Sequence, residues 1–183
     1  MAQVDARGPV VCARNYAGLM TTSAGLSTAE LTAWRTFLRA HATVVRRLEA
    51  ELLLEHDLPL ASYDVLVQLS EAPERRLRMT ELADRVLLSR SGLTRLADRL
   101  ERDGLLSRQA CPSDARGTLA VLTEAGLERL RAAWPTHLRG VAEHVTGRLS
   151  AEEVDQLSAL LGKLVDDGAL PCPGLPGACP DAP

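Results

Sequence analysis

Arginine is the residue type with which this chain can do chemistry: ten of them (positions 75, 76, 78, 85, 90, 95, 99, 102, 108 and 116) fall between 75 and 116. Six carboxylates share that segment, so it carries a surplus of four positive charges in a chain whose net charge is -3. Of the 21 basic residues only Lys163 is a lysine. A guanidinium is a planar fork that grips phosphates and base edges bidentately, whereas an ammonium is a point charge. An arginine-rich coding bias accounts for arginine over lysine, but not for the clustering. The other reactive residue types are scattered. Cys12, Cys111, Cys172 and Cys179 form no C-x-x-C, and His41, His56, His137 and His144 are spread over several elements, so no metal site is expected. The sequence holds no phosphate loop, nucleophile elbow or suitably spaced carboxylate pair, and a thiol enzyme built on Cys111 would lack a base and an oxyanion site. Neither an enzyme nor a cofactor is expected.

The elements that position these arginines follow from composition and period. Hydrophobic residues make up 46% of the chain and aromatic ones 3%, with Leu, Ala and Val dominant, which favours packed helices. No apolar run reaches the roughly 20 residues of a membrane span and no secretory leader opens the chain, so a soluble cytoplasmic protein is expected, with no membrane partner. Ser27 and Glu30 form a capping box, after which Trp34, Phe37, Leu38, Val44, Val45, Leu48 and Leu52 recur at helical spacing up to His56. Pro59 stops that helix. Ser62 is expected to cap a second one, which carries Tyr63, Val65, Leu66 and Leu69 and ends at Ala72-Pro73. A short third helix starts at Thr80. Ser89 then caps a fourth, with a buried stripe of Leu93, Leu96, Ala97 and Leu100, closed by Gly104. Two short helices about a tight turn make a helix-turn-helix. Residues 105–109 and 118–122 read as strands joined by the loop CPSDARG, a hairpin on the plan of a wing. Thr123 caps a long helix kinked at Pro135, and Ser150 with Glu153 opens a last one striped by Val154, Leu157, Leu161, Leu164 and Val165. The outer helices carry more apolar surface than a small winged domain can cover, which points to self-association about a two-fold axis.

Placing the buried stripe of the fourth helix inward leaves Ser91, Thr94, Arg95, Asp98 and Arg102 on the opposite face. The second helix of a helix-turn-helix enters the major groove with its N-terminal residues on base edges, so Ser89, Arg90, Ser91, Thr94 and Arg95 are the expected readers. The stretch PSDARGTLAVLTEAG closely resembles the wing signature of the MarR family, an Asp-x-Arg loop followed by a short strand and Leu-Thr. LADRVLLSRSGLTRLADRLERDGLLSR resembles that family's two-helix reader, and the resemblance extends over about 27–165. It implies that Arg116 inserts into the minor groove with Asp114 as its buttress. A narrow groove concentrates negative potential, and a charge-assisted bond from an Asp two residues away would aim the guanidinium. It also implies a homodimer, joined through its N- and C-terminal helices, on a pseudo-palindromic double-stranded operator with half-sites about 10 bp apart. Arg75, Arg76, Arg78 and Arg108 are the expected phosphate contacts. The fold expected is mainly α: a winged helix-turn-helix of about six helices and a short β-hairpin wing. Its parts are a flexible tail at 1–26, a dimerisation helix at 27–60, a DNA-binding lobe at 61–122, C-terminal dimerisation helices at 123–168 and a disordered tail at 169–183.

Many members of the family release DNA when a small, often aromatic or phenolic, molecule enters a cleft between the dimerisation helices and the reader. Trp34, His41, Tyr63 and Trp134 lie on the helices that would line it here. A peroxide-sensing branch uses a cysteine in its first helix, and residues 27–56 contain none. Cys111, near Arg108 at the base of the wing, leaves a redox-responsive regulator as an alternative. A non-specific DNA-coating protein is a second. Repression is the expected sign, since a dimer seated on a promoter obstructs polymerase.

Overall fold

A computed structural model describes residues 25–86, 88–111 and 114–165, with residues 114–116 described by their backbone alone. The expected tails, save Gly25 and Leu26, lie outside the described residues, as do Cys12, Cys172 and Cys179. Helix α1 (Thr28–His56) opens in the first of two compact units, Met1–Ala40, and ends in the second, His41–Pro183. In the first unit the capping box forms as its residues dictate. The Ser27 amide donates to Glu30 Oε2 (2.6 Å) and the Glu30 amide to Ser27 Oγ (3.3 Å). Trp34 and Phe37 stack with ring centroids 6.0 Å apart and both remain exposed.

The second unit holds the core. Helix α2 (Leu60–Glu71) begins two residues before the expected cap. Ser62 is buried and its hydroxyl has no partner, so it does not cap. Pro59 occupies the N-cap position, and the first helical amide, that of Leu60, donates instead to the Glu49 carboxylate (2.5 Å), reached from α1. Helix α3 (Met79–Arg85) and helix α4 (Arg90–Arg102) follow, and Ser89 Oγ accepts from the Gly92 amide (3.1 Å) as the cap of α4. Gly104 leaves α4 at φ 72°, a left-handed conformation that glycine adopts without steric cost.

Three strands make one antiparallel sheet in the order β1-β3-β2: β1 (Arg76–Arg78), β2 (Leu106–Cys111) and β3 (Asp114–Leu122). The hairpin is longer than expected. Residues of CPSDARG continue both strands, with Cys111 opposite Asp114 and an irregularity between Ala110 and Cys111. Backbone pairing accepts turn-forming residues at a hairpin end, and only the span between 111 and 114 is left to connect the strands. β1 falls between the second and third expected helices, in a segment to which the sequence assigns no element. Its three residues are too few to show a period, yet buried Leu77 pairs with Ala120 and fixes the register.

Helix α5 (Glu124–His144) is capped by Thr123, whose Oγ1 accepts from the Gly126 amide (3.0 Å) and donates to the Gly104 carbonyl (2.7 Å). A Cβ on Gly126 would stand 2.0 Å from the Leu105 carbonyl oxygen, so glycine lets α5 start directly on the α4–β2 turn. The helix continues through Pro135, which is exposed. The second half of α1 clasps α5 through Thr136, whose hydroxyl bonds Glu55 (2.9 Å) and meets His56 Nε2 (2.8 Å), and through Arg139, which pairs with Glu55. Leu52, Tyr63, Leu66, Leu69, Leu82, Leu93, Leu100, Leu106 and Leu130 form the centre of one core. Helix α6 (Ala151–Gly162) has the expected Ser150–Glu153 capping box but buries none of its residues. Among the described residues, no helix is long and apolar enough to cross a membrane.

Candidate nucleic-acid interface

Helix α4 has two unlike faces. Leu93, Ala97 and Leu100 are buried, and Leu96 packs against the same core, which fixes the rotation of the helix. Arg90, Ser91, Thr94, Arg95, Asp98 and Arg102 are exposed on the rest of its circumference. Ser89 Oγ is occupied by the cap and lies 3.3 Å from Ser91 Oγ, so these two hydroxyls stand together at the first turn. The Thr94 hydroxyl donates to the Arg90 carbonyl (2.9 Å), which leaves its lone pairs outward as acceptors. Among the described residues, Arg90 and Arg95 make no ion pair. The first two turns of α4 thus present hydroxyl oxygens and unpaired guanidiniums to solvent, a set able to read base edges.

β2 carries the residue that ties this helix to the hairpin. The Arg108 guanidinium donates to Asp98 Oδ1 (2.6 Å), to Glu101 Oε2 (3.1 Å) and to the Thr94 carbonyl (3.1 Å), while its amide donates to Glu101 Oε1 (3.0 Å). The Arg108 side chain is only 24% exposed, so these charge-assisted bonds are partly shielded from water. Arg108, expected from the sequence to contact phosphate, is thus engaged by neighbours within the chain. Arg108 faces α4, held by two carboxylates that a solvent-facing arginine would not need.

The other expected contacts differ from it. Arg75 pairs with Glu124 (3.2 Å), and Arg76 pairs with Glu74; both pairs are exposed. Exposed pairs hold by roughly 0–1 kcal/mol, so a phosphate can displace the carboxylate at little cost. Arg78 and Thr94, distant in sequence, line one cleft of about 400 Å³ with Arg108, Gly117 and Thr118. The start of α3, the outer face of α4 and the base of the hairpin therefore border a single groove. Asp114 and Arg116 lie on the backbone of β3 at its hairpin end.

The expected effector residues do not share one environment. Trp34 is 54% exposed and His41 is exposed, both on α1. Tyr63 is buried and Trp134 packs against the core that contains it. Tyr63 meets His137 in a tilted ring contact with centroids 4.5 Å apart, a partner not singled out from the sequence because ring contacts across helices leave no periodic trace. Burial pushes the Tyr63 phenol up and the His137 imidazole down, so both stay neutral near pH 7. The Tyr63 hydroxyl and His137 Nδ1 are buried without hydrogen-bond partners. Cys111 is buried, and the arginine expected to favour its thiolate is turned onto Asp98 and Glu101. Glu51, Glu143 and His144 bring oxygen and nitrogen atoms within 4.8 Å of one another. There His144 Nε2 bonds Glu51 (2.5 Å) and Arg47 stands 3.5 Å from Nδ1, a cation beside the imidazole that opposes a second one.

A sequence profile of the MarR family matches residues 56–117. The chain is 34% identical over 130 residues to the uncharacterized HTH-type transcriptional regulator YkoM of Bacillus subtilis (strain 168), spanning 71% of this chain and 82% of that one. It is 35% identical over 104 residues to the HTH-type transcriptional repressor YetL of the same organism, spanning 57% of this chain and 62% of that one. Among solved structures it resembles Sco3205, a MarR family transcriptional regulator from Streptomyces coelicolor in complex with DNA. The TM-score is 0.74 and the identity 35%, over 81% of this chain and 96% of that one.

Proposed function

This chain belongs to the MarR family of winged helix-turn-helix transcriptional regulators, DNA-binding proteins and not enzymes, and on that basis we propose that it represses transcription as a homodimer on a pseudo-palindromic operator. The observation that carries the reading is the exposed first half of α4, with Arg90 and Arg95 unpaired, beside a hairpin locked to it by Arg108. Ser89, Arg90, Ser91, Thr94 and Arg95 read base edges in the major groove. Arg116, steadied by Asp114, enters the minor groove. Arg75, Arg76 and Arg78 hold phosphates on either side. A small aromatic or phenolic molecule that reaches Tyr63 and Trp134 relaxes the hold, provided it binds the released geometry better. Trp34 and His41 belong to the dimerisation part, and repression accords with the relative YetL, a transcriptional repressor.

Gel shift against the operator and against random DNA of equal length tests the reading. Arg95→Ala and Arg116→Ala should each weaken operator binding by about 10- to 100-fold, from roughly 1–3 kcal/mol per base contact, and leave random-DNA binding nearly unchanged. Equal affinity of the parent for both DNAs would mean a coating protein instead.

A further inference from the structure

A second cleft, of about 700 Å³, lies between the last turn of α4, the α1–α2 junction and α5. Its walls are rich in hydrogen-bond donors. Arg99 and Arg102 project from the end of α4 and Arg129 from α5. Among the described residues none of the three forms an ion pair; Arg102 Nε donates to the Asp98 carbonyl (3.2 Å), and the side chains of Arg99 and Arg129 make no hydrogen bond. Arg129 Nε is fully buried without an acceptor. So is the hydroxyl of Ser62, in a residue only 1% exposed. Asp57 and Asp103 stand at the exposed rim of the same cleft, outside ion-pair distance of the arginines.

A buried donor left without an acceptor costs roughly 1–3 kcal/mol, more when it is charged. Two such donors under one cleft, beside further unpaired guanidiniums, describe a place whose acceptors come from outside the chain. Leu58, Pro59 and Leu100 supply part of the floor, so the guanidiniums act at the edge of a low-dielectric surface, where their attraction for an anion is strengthened. We infer that this cleft binds a small, multiply charged oxyanion, a polycarboxylate or a phosphate, gripped by Arg99 and Arg129 with Ser62 as a neutral donor. A hydrophilic anion fits these walls. The aromatic or phenolic effector proposed above does not, so this ligand is a different one and does not depend on that effector.

Calorimetric titration of the full chain with sodium citrate and, separately, with inorganic phosphate at constant ionic strength tests the site. At least one probe should saturate one site per chain at about millimolar concentration or below. Arg99→Gln and Arg129→Gln should each weaken that binding about tenfold or more, and Ser62→Ala by a smaller factor. Arg99 is exposed, so its variant remains informative if the Arg129 variant folds poorly. Arg95→Ala, which alters the DNA-facing side, should leave the isotherm unchanged. The inference is overturned if neither probe saturates, or if Arg99→Gln binds like the parent.

Discussion

Whether an arginine is an instrument or a strut depends on what its guanidinium faces. Arg95 faces water with no counter-charge, while Arg108, thirteen residues on, is held by Asp98 and Glu101. The helical period places Arg95 among the expected base readers, whereas Arg108 is expected at a phosphate from its residue type and segment until its neighbours in space are known. Their difference has a direct test. If Arg108 acts as a strut, Arg108→Ala lowers operator affinity by letting hairpin and helix drift, but leaves the slope of log affinity against log salt unchanged. If it held a phosphate, that slope would shrink by about 1. His137 makes a second prediction at this scale. Burial lowers its folded pKa below the usual 6.5, so the unfolded chain takes up the proton first as pH falls. The stability that the neutral imidazole contributes is complete above about pH 6.5 and is lost as pH falls towards the folded pKa, at no more than about 1.4 kcal/mol per pH unit. His137→Phe should therefore flatten the acid side of the stability profile, measured by denaturant midpoints from pH 7 to 5. A profile that still parallels the parent would show that other groups carry it.

Elements were legible where their signals are local. The capping residues Ser27, Ser89, Thr123 and Ser150 each bond the amide that their positions call for, because an N-cap is closed within three residues of chain. Ser62 misled for the complementary reason: the acceptor that serves the start of α2 is Glu49, eleven residues before Leu60, which no local motif reveals. β1 was hidden likewise, since a three-residue strand exists only through its pairing with β3. Among site residues the outward set on α4 was readable from the 3.6-residue period, which the core confirms by burying Leu93, Ala97 and Leu100. The engagement of Arg108 and the ring contact of Tyr63 with His137 were not, as both join elements separated in sequence. Gly126 marks where local and long-range demands meet. The glycine of LTEAG leaves room for the Leu105 carbonyl, and so sets where α5 starts beside the turn that ends α4.

At the scale of the molecule, apolar surface without a cover is what remains to be explained. Helix α6 buries no residue, and Leu160 near its end and Leu164 just past it are 59% and 72% exposed. A helix of 12 residues with its leucines in water is marginal alone, since helices of that length draw most of their stability from packing. In the proposed homodimer these leucines enter the partner, in an interface of the order of 800 Å² per subunit for a stable pair. Trp34, Phe37 and Leu38 on α1 are exposed as well, so the N-terminal element carries surface of the same kind. Two readers on one body bind adjacent half-sites with the second contact made at high effective concentration, which raises affinity by about 10²- to 10⁴-fold over a single reader. Replacing both leucines, Leu160→Glu with Leu164→Glu, places two charges where the partner is expected. The doubly substituted chain should elute at monomer mass by light scattering, keep its winged core by circular dichroism, and lose operator affinity by about that avidity factor. A variant that stayed dimeric with charges at both positions would place the two-fold contact elsewhere, and α6 would then need another cover.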